Sequence, residues 1–207
     1  MTRSEIARHL LEAEAVKLSP EQPFTWASGW QSPIYCDNRI LLSYPEVRTE
    51  IVKAFAVASE QYQPFDVVAG VATAGIPHAA LLAEGLGKPM VYVRDKAKGH
   101  GRQNRIEGRL PESARVLVIE DLISTGGSSL RAVEALQEAG AEVVGTLAIF
   151  TYEFDKAKEA FETAGVPLST LTDYSNLLEE AVRTEYIAAD MLPTLQAWRA
   201  APGDWGK

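Results

Sequence analysis

The sequence predicts an α/β fold, a parallel sheet flanked by helices. Three observations carry this. Short continuous apolar runs, such as DVVAGVA at 66–72 and RVLVIED at 115–121, read as strands buried on both faces. Stretches with helical spacing alternate with them and close at glycine. The 207 residues are 46% hydrophobic, which suits one domain with a sizeable core.

The elements follow in order. Thr2 with Glu5 forms a capping-box pattern, and Ile6, Leu10 and Ala13 fall on one face of the helix it opens. Residues 19–39 are rich in Ser, Pro, Gly and aromatics and read as loop with short strand. Pro45 suits the first turn of a helix through about Ser59. The strand at 66–72 leads to a helix, IPHAALLAEGLG, that ends at glycine. PMVYVR at 89–94 is the second strand. RVLVIED is the third, its apolar part ending at Ile119, followed by a helix over 127–139 closed by Gly140, with Leu130, Val133 and Leu136 as its apolar stripe. EVVGTLAIFTY at 142–152 is the fourth strand, 154–164 a helix, and PLSTLTD at 167–173 the fifth strand. The last 30 or so residues read as helical, with Trp198 and Trp205 as packing anchors.

Composition narrows the chemistry. The net charge is −8, which argues against a protein that lives on nucleic acid phosphates. The charge is uneven, however. Residues 94–109 hold Arg94, Lys96, Lys98, Arg102, Arg105 and Arg109 against Asp95 and Glu107. A compact cationic segment on an acidic chain points to a small, strongly anionic ligand. No apolar run approaches the roughly 18 residues of a membrane span. Glu5, Glu12 and Glu14 crowd the N-terminus, and Cys36 is the one cysteine, so the expected setting is cytoplasmic.

The most informative stretch is VLVIEDLISTGGSS, at 116–129. In an open parallel sheet, ligands sit past the carboxyl ends of the strands. Glu120 and Asp121 stand at such an end. Glycines then let the backbone turn its N–H groups toward an anion, Ser124, Thr125 and Ser128 add hydroxyls, and a helix N-terminus adds partial positive charge. Two carboxylates would repel a bare phosphate. They suit a sugar phosphate, whose hydroxyls donate to the acids while its phosphate lies in the loop. A divalent cation such as Mg2+ would also serve as mediator, since it prefers oxygen ligands and phosphates. No Gly-Lys-Ser/Thr follows, so this is not a Walker loop.

That stretch resembles the signature with which type I phosphoribosyltransferases bind phosphoribosyl pyrophosphate. FTWASGWQSPIYCDNR at 24–39 is similar to the N-terminal segment of the orotate-specific members of that family. GVATAGIPHAA at 70–80, VRDKAKGHG at 93–101 and TDYSNLLEEA at 172–181 fit the same members in the same order. The resemblance implies a type I phosphoribosyltransferase-like parallel sheet flanked by helices. A small N-terminal hood would be built largely from residues 1–45 and C-terminal residues. It implies transfer of the phosphoribosyl group to orotate, giving orotidine 5′-phosphate and pyrophosphate. Its residues carry over as follows: Arg94, Lys98 and His100 to the pyrophosphate, with Thr73 and Ala74 in the loop that meets it. Glu120 and Asp121 go to the ribose hydroxyls. Leu122, Ile123, Ser124, Thr125, Gly126, Gly127 and Ser128 form the phosphate loop. Ser124, Ser28 and Gly29 face orotate. Lys98, His100 and Asp121 are the expected catalytic residues. Because the family's 94–100 loop reaches the neighbouring site, a homodimer is implied. Direct protein ligands to Mg2+ are not expected; substrate and water would hold it.

This chain departs from the family pattern at Ala27, Ala74 and Asp95, where lysine is frequent, and at TYEF, 151–154, where an arginine is found. The orotate carboxylate would then rest on backbone N–H groups around Ser28 and Gly29. Tyr35 is expected to pack in the hood, Asp37 and Arg39 to pair, and His9 and His78 to be structural or solvated. Two alternatives share the phosphate motif. A purine-type transferase would lack the 24–39 segment. A non-catalytic sensor of phosphoribosyl pyrophosphate would need a nucleic-acid module, for which the chain has no basic domain.

Overall fold

The computed structural model describes residues 1–26, 29–95 and 105–205. The chain begins with α1 (Arg3–Glu12), opened by the Thr2–Glu5 capping box. Two small antiparallel ribbons follow, β1 (Val16–Leu18) with β4 (Ile34–Cys36), and β2 (Phe24–Thr25) with β3 (Gln31–Ser32). A 3-10 turn over Asn38–Ser43 leads into α2 (Pro45–Ser59), with Pro45 in its first turn as expected.

The remainder alternates: β5 (Val67–Val71), α3 (Gly75–Leu86), β6 (Met90–Val93), β7 (Ile106–Glu107), β8 (Arg115–Ile123), α4 (Gly127–Glu138), β9 (Glu142–Thr151), α5 (Asp155–Thr163), β10 (Leu168–Thr170), α6 (Tyr174–Arg183) and α7 (Leu192–Ala200). The six-stranded sheet has the order β10-β9-β8-β5-β6-β7, parallel except for β7 at its edge. The alternation in the sequence marked every parallel strand. It did not mark β7, two residues long, which has too few positions to show a period.

Residue alternation sends the strand side chains into two cores. Leu117, Ile119 and Val68 face a core shared with α1, α2, α3, α6 and α7, while Val116, Val118 and Ala69 face one beneath α4 and α5. The third strand is longer than its apolar run suggests. Glu120 pairs with Ala148, and pairing continues through Ile123 with Thr151. The ladder does not require an apolar side chain at each step, so it runs past Ile119 and carries the acids on ordered strand.

The chain order also creates a switch point. From β5 it moves to β6 on one side, then returns to place β8 on the other. Helices α3 and α4 therefore diverge from a crevice at the carboxyl ends of β5 and β8, where open α/β sheets bind ligands.

Among the described residues, no helix is long and apolar enough to cross a membrane.

Candidate functional site

The strand register brings the predicted loops together. Gly70 pairs with Ile119 and Val71 with Val93, so residues 72–75, Arg94 and Glu120 emerge side by side. The 72–75 loop holds a cis peptide between Ala72 and Thr73, with Thr73 exposed and Ala74 half-buried. Gly75 shows why the loop ends in glycine. A Cβ there would lie 2.5 Å from the Ile119 carbonyl and 3.4 Å from Glu120 Oε1. Only a bare backbone lets α3 start directly over the acidic strand end.

Glu120 is buried at 6% exposure. Ser129 Oγ of α4 donates to its Oε2 at 3.1 Å, and the Asp121 backbone N–H donates to its Oε1 at 3.1 Å. Burial, reinforced by the neighbouring Asp121 charge, holds the Glu120 carboxyl well above the usual carboxylate range. Burial raises Asp121 as well, while Arg39 acts the other way. Neither acid is spent in an ion pair among the described residues. Two close carboxylates that resist being charged together are complementary to hydroxyl donors or to a cation.

Gly126 has φ +80 and is the N-cap of α4. A Cβ there would also meet the Phe161 ring at 3.0 Å, so conformation and packing both require glycine. Leu122 and Ile123 finish the strand, Ser124 and Thr125 are half-buried in the turn, Gly127 opens the helix and Ser128 is exposed. The strand–turn–helix therefore has the form the phosphate motif requires.

Arg94 lies at the root of the cationic segment. Its backbone N–H donates to the Arg105 carbonyl at 2.8 Å, and its guanidinium meets Glu107 at 3.4 Å. Lys98 and His100 lie outside the described residues, as do Ala27 and Ser28. Gly29 is described: φ is +85 and its N–H donates to the Trp26 carbonyl at 2.8 Å.

Several elements tie the N-terminal ribbons to this rim. Asn38, fully buried, donates from Nδ2 to the Asp121 carbonyl at 2.8 Å. Its role was not singled out from the sequence; a lone amide before the apolar run ILL was the available signal. Asp37 and Arg39 pair at 2.6 Å as expected. Tyr35 packs against the hood as expected, but from its outer face. Alternation along β4 buries Ile34 and leaves Tyr35 43% exposed, its ring 5.7 Å from Phe24. Glu153, in the TYEF stretch, accepts from Ser175 Oγ at 2.6 Å and from Arg199 at 3.1 Å, joining the end of β9 to α6 and α7. Asp95 pairs with Arg131 of α4 at 2.8 Å. A cavity of about 870 Å3 lies along α5, lined by Phe154, Phe161, Leu168 and Arg199 among others. It contains none of the predicted site residues. The rim above β5 and β8, where the acids and both loops converge, is the better candidate.

Comparison with known proteins agrees with this fold. Residues 40–173 match the phosphoribosyl transferase domain model. An orotate phosphoribosyltransferase of Listeria monocytogenes is 55% identical over 204 residues, covering 98% of each chain. The crystal structure of orotate phosphoribosyltransferase from Aeropyrum pernix superposes with a TM-score of 0.78 at 31% identity, over 88% of this chain and 99% of that one. A Mycobacterium tuberculosis orotate phosphoribosyltransferase in complex with 5-phospho-alpha-D-ribosyl 1-diphosphate superposes with a TM-score of 0.66 at 26% identity, over 84% of this chain and 98% of that one.

Proposed function

We propose a division of labour at this rim from the premise that the chain belongs to the orotate phosphoribosyltransferase family. It transfers the phosphoribosyl group of phosphoribosyl pyrophosphate to orotate, a step of pyrimidine biosynthesis, releasing pyrophosphate and orotidine 5′-phosphate. The observation that carries the assignment of roles is the convergence of the 72–75 loop, the Glu120–Asp121 pair and the Gly126 turn at one switch point.

The 5′-phosphate lies against the amides and hydroxyls of 124–128, at the N-terminus of α4. The ribose hydroxyls donate to Glu120 and Asp121. A diol supplies two donors to carboxylates that burial and mutual repulsion otherwise penalise. Thr73 and Ala74 face the pyrophosphate. Orotate lies beneath the N-terminal ribbons near Ser124, Ser28 and Gly29.

In the reaction the bond from the ribose carbon to pyrophosphate breaks as the bond to orotate nitrogen forms, and the proton on that nitrogen passes to solvent or to the departing pyrophosphate. The carbon acquires oxocarbenium character and negative charge grows on the leaving group. Cations placed where that charge develops lower the barrier. Arg94, Lys98 and His100 are assigned that task, and His100 can donate a proton or hydrogen bond to the leaving oxygen. Asp121 holds the sugar while its ring flattens.

The described residues contain no group of three or more His, Cys, Asp or Glu able to cage a metal. Mg2+ keeps several waters and binds substrate phosphates, so the donor's pyrophosphate and water would hold it beside this rim without a direct carboxylate ligand. When bound, Mg2+ supplies positive charge to the pyrophosphate. The same proposal takes the enzyme as a cytoplasmic homodimer in which the 94–100 segment serves the neighbouring site, as the family resemblance implies.

The test follows orotate absorbance in the presence of phosphoribosyl pyrophosphate and Mg2+, with hypoxanthine and adenine as controls. Orotate consumption is expected. Unchanged orotate with turnover of a purine would overturn the assignment.

A further inference from the structure

Asp95 follows β6 at the sheet's carboxyl end, and its carboxylate faces the phosphate loop's own helix. Arg131, in the second turn of α4, donates to Asp95 Oδ1 from Nη2 at 2.8 Å and from Nε at 3.2 Å. The same Nη2 lies 3.4 Å from Ser128 Oγ. A Cβ built on Gly127 would be 3.4 Å from Arg131 Nη1. The guanidinium therefore hangs over the first turn of α4, beside the turn assigned to the sugar's phosphate.

The charge around that turn explains why a cation matters. Residues 124–130 contain no lysine or arginine, and Glu120 and Asp121 precede them. A dianionic monoester arriving there meets amides and hydroxyls on one side and two acids on the other. Arg131 adds positive charge on the helix side. A planar guanidinium also matches phosphate oxygens in a two-pronged contact, which a lysine would not.

We propose that Arg131 is a further phosphate-binding residue of the donor site, and that Asp95 and the 5′-phosphate compete for it. The claim rests on the assignment of 124–128 to the 5′-phosphate. Asp95 holds the guanidinium in place when the turn carries no phosphate. A bound phosphate draws it inward. The pair suits exchange because both side chains are half exposed, Arg131 at 50% and Asp95 at 57%. Water screens the contact, so exchanging it costs little.

The test measures binding by calorimetry in four proteins: the wild type, Asp95→Asn, Arg131→Gln and the double variant. Ribose 5-phosphate is the first probe because it carries the monoester without a pyrophosphate. Inorganic pyrophosphate is the second. Exposed charge contacts are worth a factor of about two to five in affinity. Arg131→Gln is expected to weaken ribose 5-phosphate by about that factor. Asp95→Asn is expected to tighten it by a similar factor, and the tightening should vanish in the double variant. Pyrophosphate should respond less to each change.

A gain from Asp95→Asn that persists without Arg131 would reduce the effect to the general field of a removed charge and overturn the competition. Equal affinities in all four proteins would make the pair a surface contact only. A response confined to pyrophosphate would place Arg131 at the wrong phosphoryl group. Failure of ribose 5-phosphate to bind even the wild type would remove the 124–128 assignment and this inference with it. Wild-type binding that ignores all substitutions would remove Arg131 alone.

Discussion

The rim above β5 and β8 and the N-terminal hood are built on different principles. The rim comes from short contiguous motifs. Gly75 and Gly126 admit no Cβ, and Glu120, Asp121 and Ser124 are neighbours along the chain. The hood draws on residues more than a hundred positions apart. Trp198 of α7 is fully buried, its ring 5.6 Å from Trp26, 5.6 Å from Tyr152, 5.3 Å from Phe154 and 5.5 Å from Tyr174. Trp26 in turn donates its indole N–H to the Ile34 carbonyl at 3.1 Å. The rim proposed for the sugar phosphate is thus set by local backbone geometry, and the hood proposed for the base by long-range aromatic packing.

Trp198→Ala tests that division most severely. Removing a buried tryptophan costs about 3–5 kcal/mol. For a chain of this size each kcal/mol lowers Tm by roughly 2–4 °C. Thermal unfolding should show the drop. Below the transition, KM for orotate should rise while ribose 5-phosphate affinity stays within about twofold. Equal weakening of both ligands would mean that hood and rim are one mechanical unit.

This contrast also explains what could be read from the sequence. The rim was legible because its residues carry their constraint locally: two acids at a strand end, then a hydroxyl-glycine turn, then a helix. Trp198 was legible as a packing anchor but its partners were not, since no periodicity relates position 26 to 152, 174 and 198. Asn38 stood out only as a lone amide before ILL, and its partner was not legible for the same reason. Its partner is the carbonyl of Asp121, and backbone acceptors leave no mark in a sequence. The end of β8 was misplaced because the apolar pattern reports burial, whereas the ladder reports backbone pairing.

The rim should behave in the opposite way to the hood. Asp121→Asn is expected to cut kcat/KM by about 10²–10³, the size of losing one preorganised transition-state contact. Its fold should hold. Glu120→Gln should even raise Tm at neutral pH. The carboxyl of Glu120 is raised in the folded protein, so folding binds a proton more readily than the unfolded chain does. Stability from this group is present at low pH and declines as pH rises through that raised value. The amide should remove the decline. A Glu120→Gln protein that is less stable at pH 8 than the wild type would show that the acid is structural rather than strained for binding.

His78, in the first turn of α3, offers a contrast of another kind. It is fully buried, its ring 6.2 Å from Phe55, and among the described residues neither ring nitrogen has a hydrogen-bond partner. Burial lowers its pKa from 6.5 to about 4. The unfolded chain therefore binds the proton first as pH falls. Stability from this group is intact above about pH 6.5 and is lost progressively toward pH 4, by up to about 3 kcal/mol. His78→Leu should flatten that part of the pH profile in urea denaturation, with little loss at pH 7.5. An unchanged acid slope would mean that His78 stays neutral by another route, or that its site opens to water.

The smallest expected effect concerns Arg39, where hood and rim meet. Its guanidinium is 62% exposed and paired to Asp37, so its stability contribution should be under about 1 kcal/mol. Its influence on Asp121 is separate from that pair. Burial raises the Asp121 carboxyl and the Arg39 charge opposes the rise. Arg39→Gln should leave Asp121 harder to ionise, and the acid limb of kcat/KM should move to higher pH while the plateau stays nearly constant. If the limb stays in place and the plateau falls instead, Arg39 acts by contact with a ligand. The base end would then share a cation with the sugar end, and the separation of hood from rim would hold for packing but not for charge.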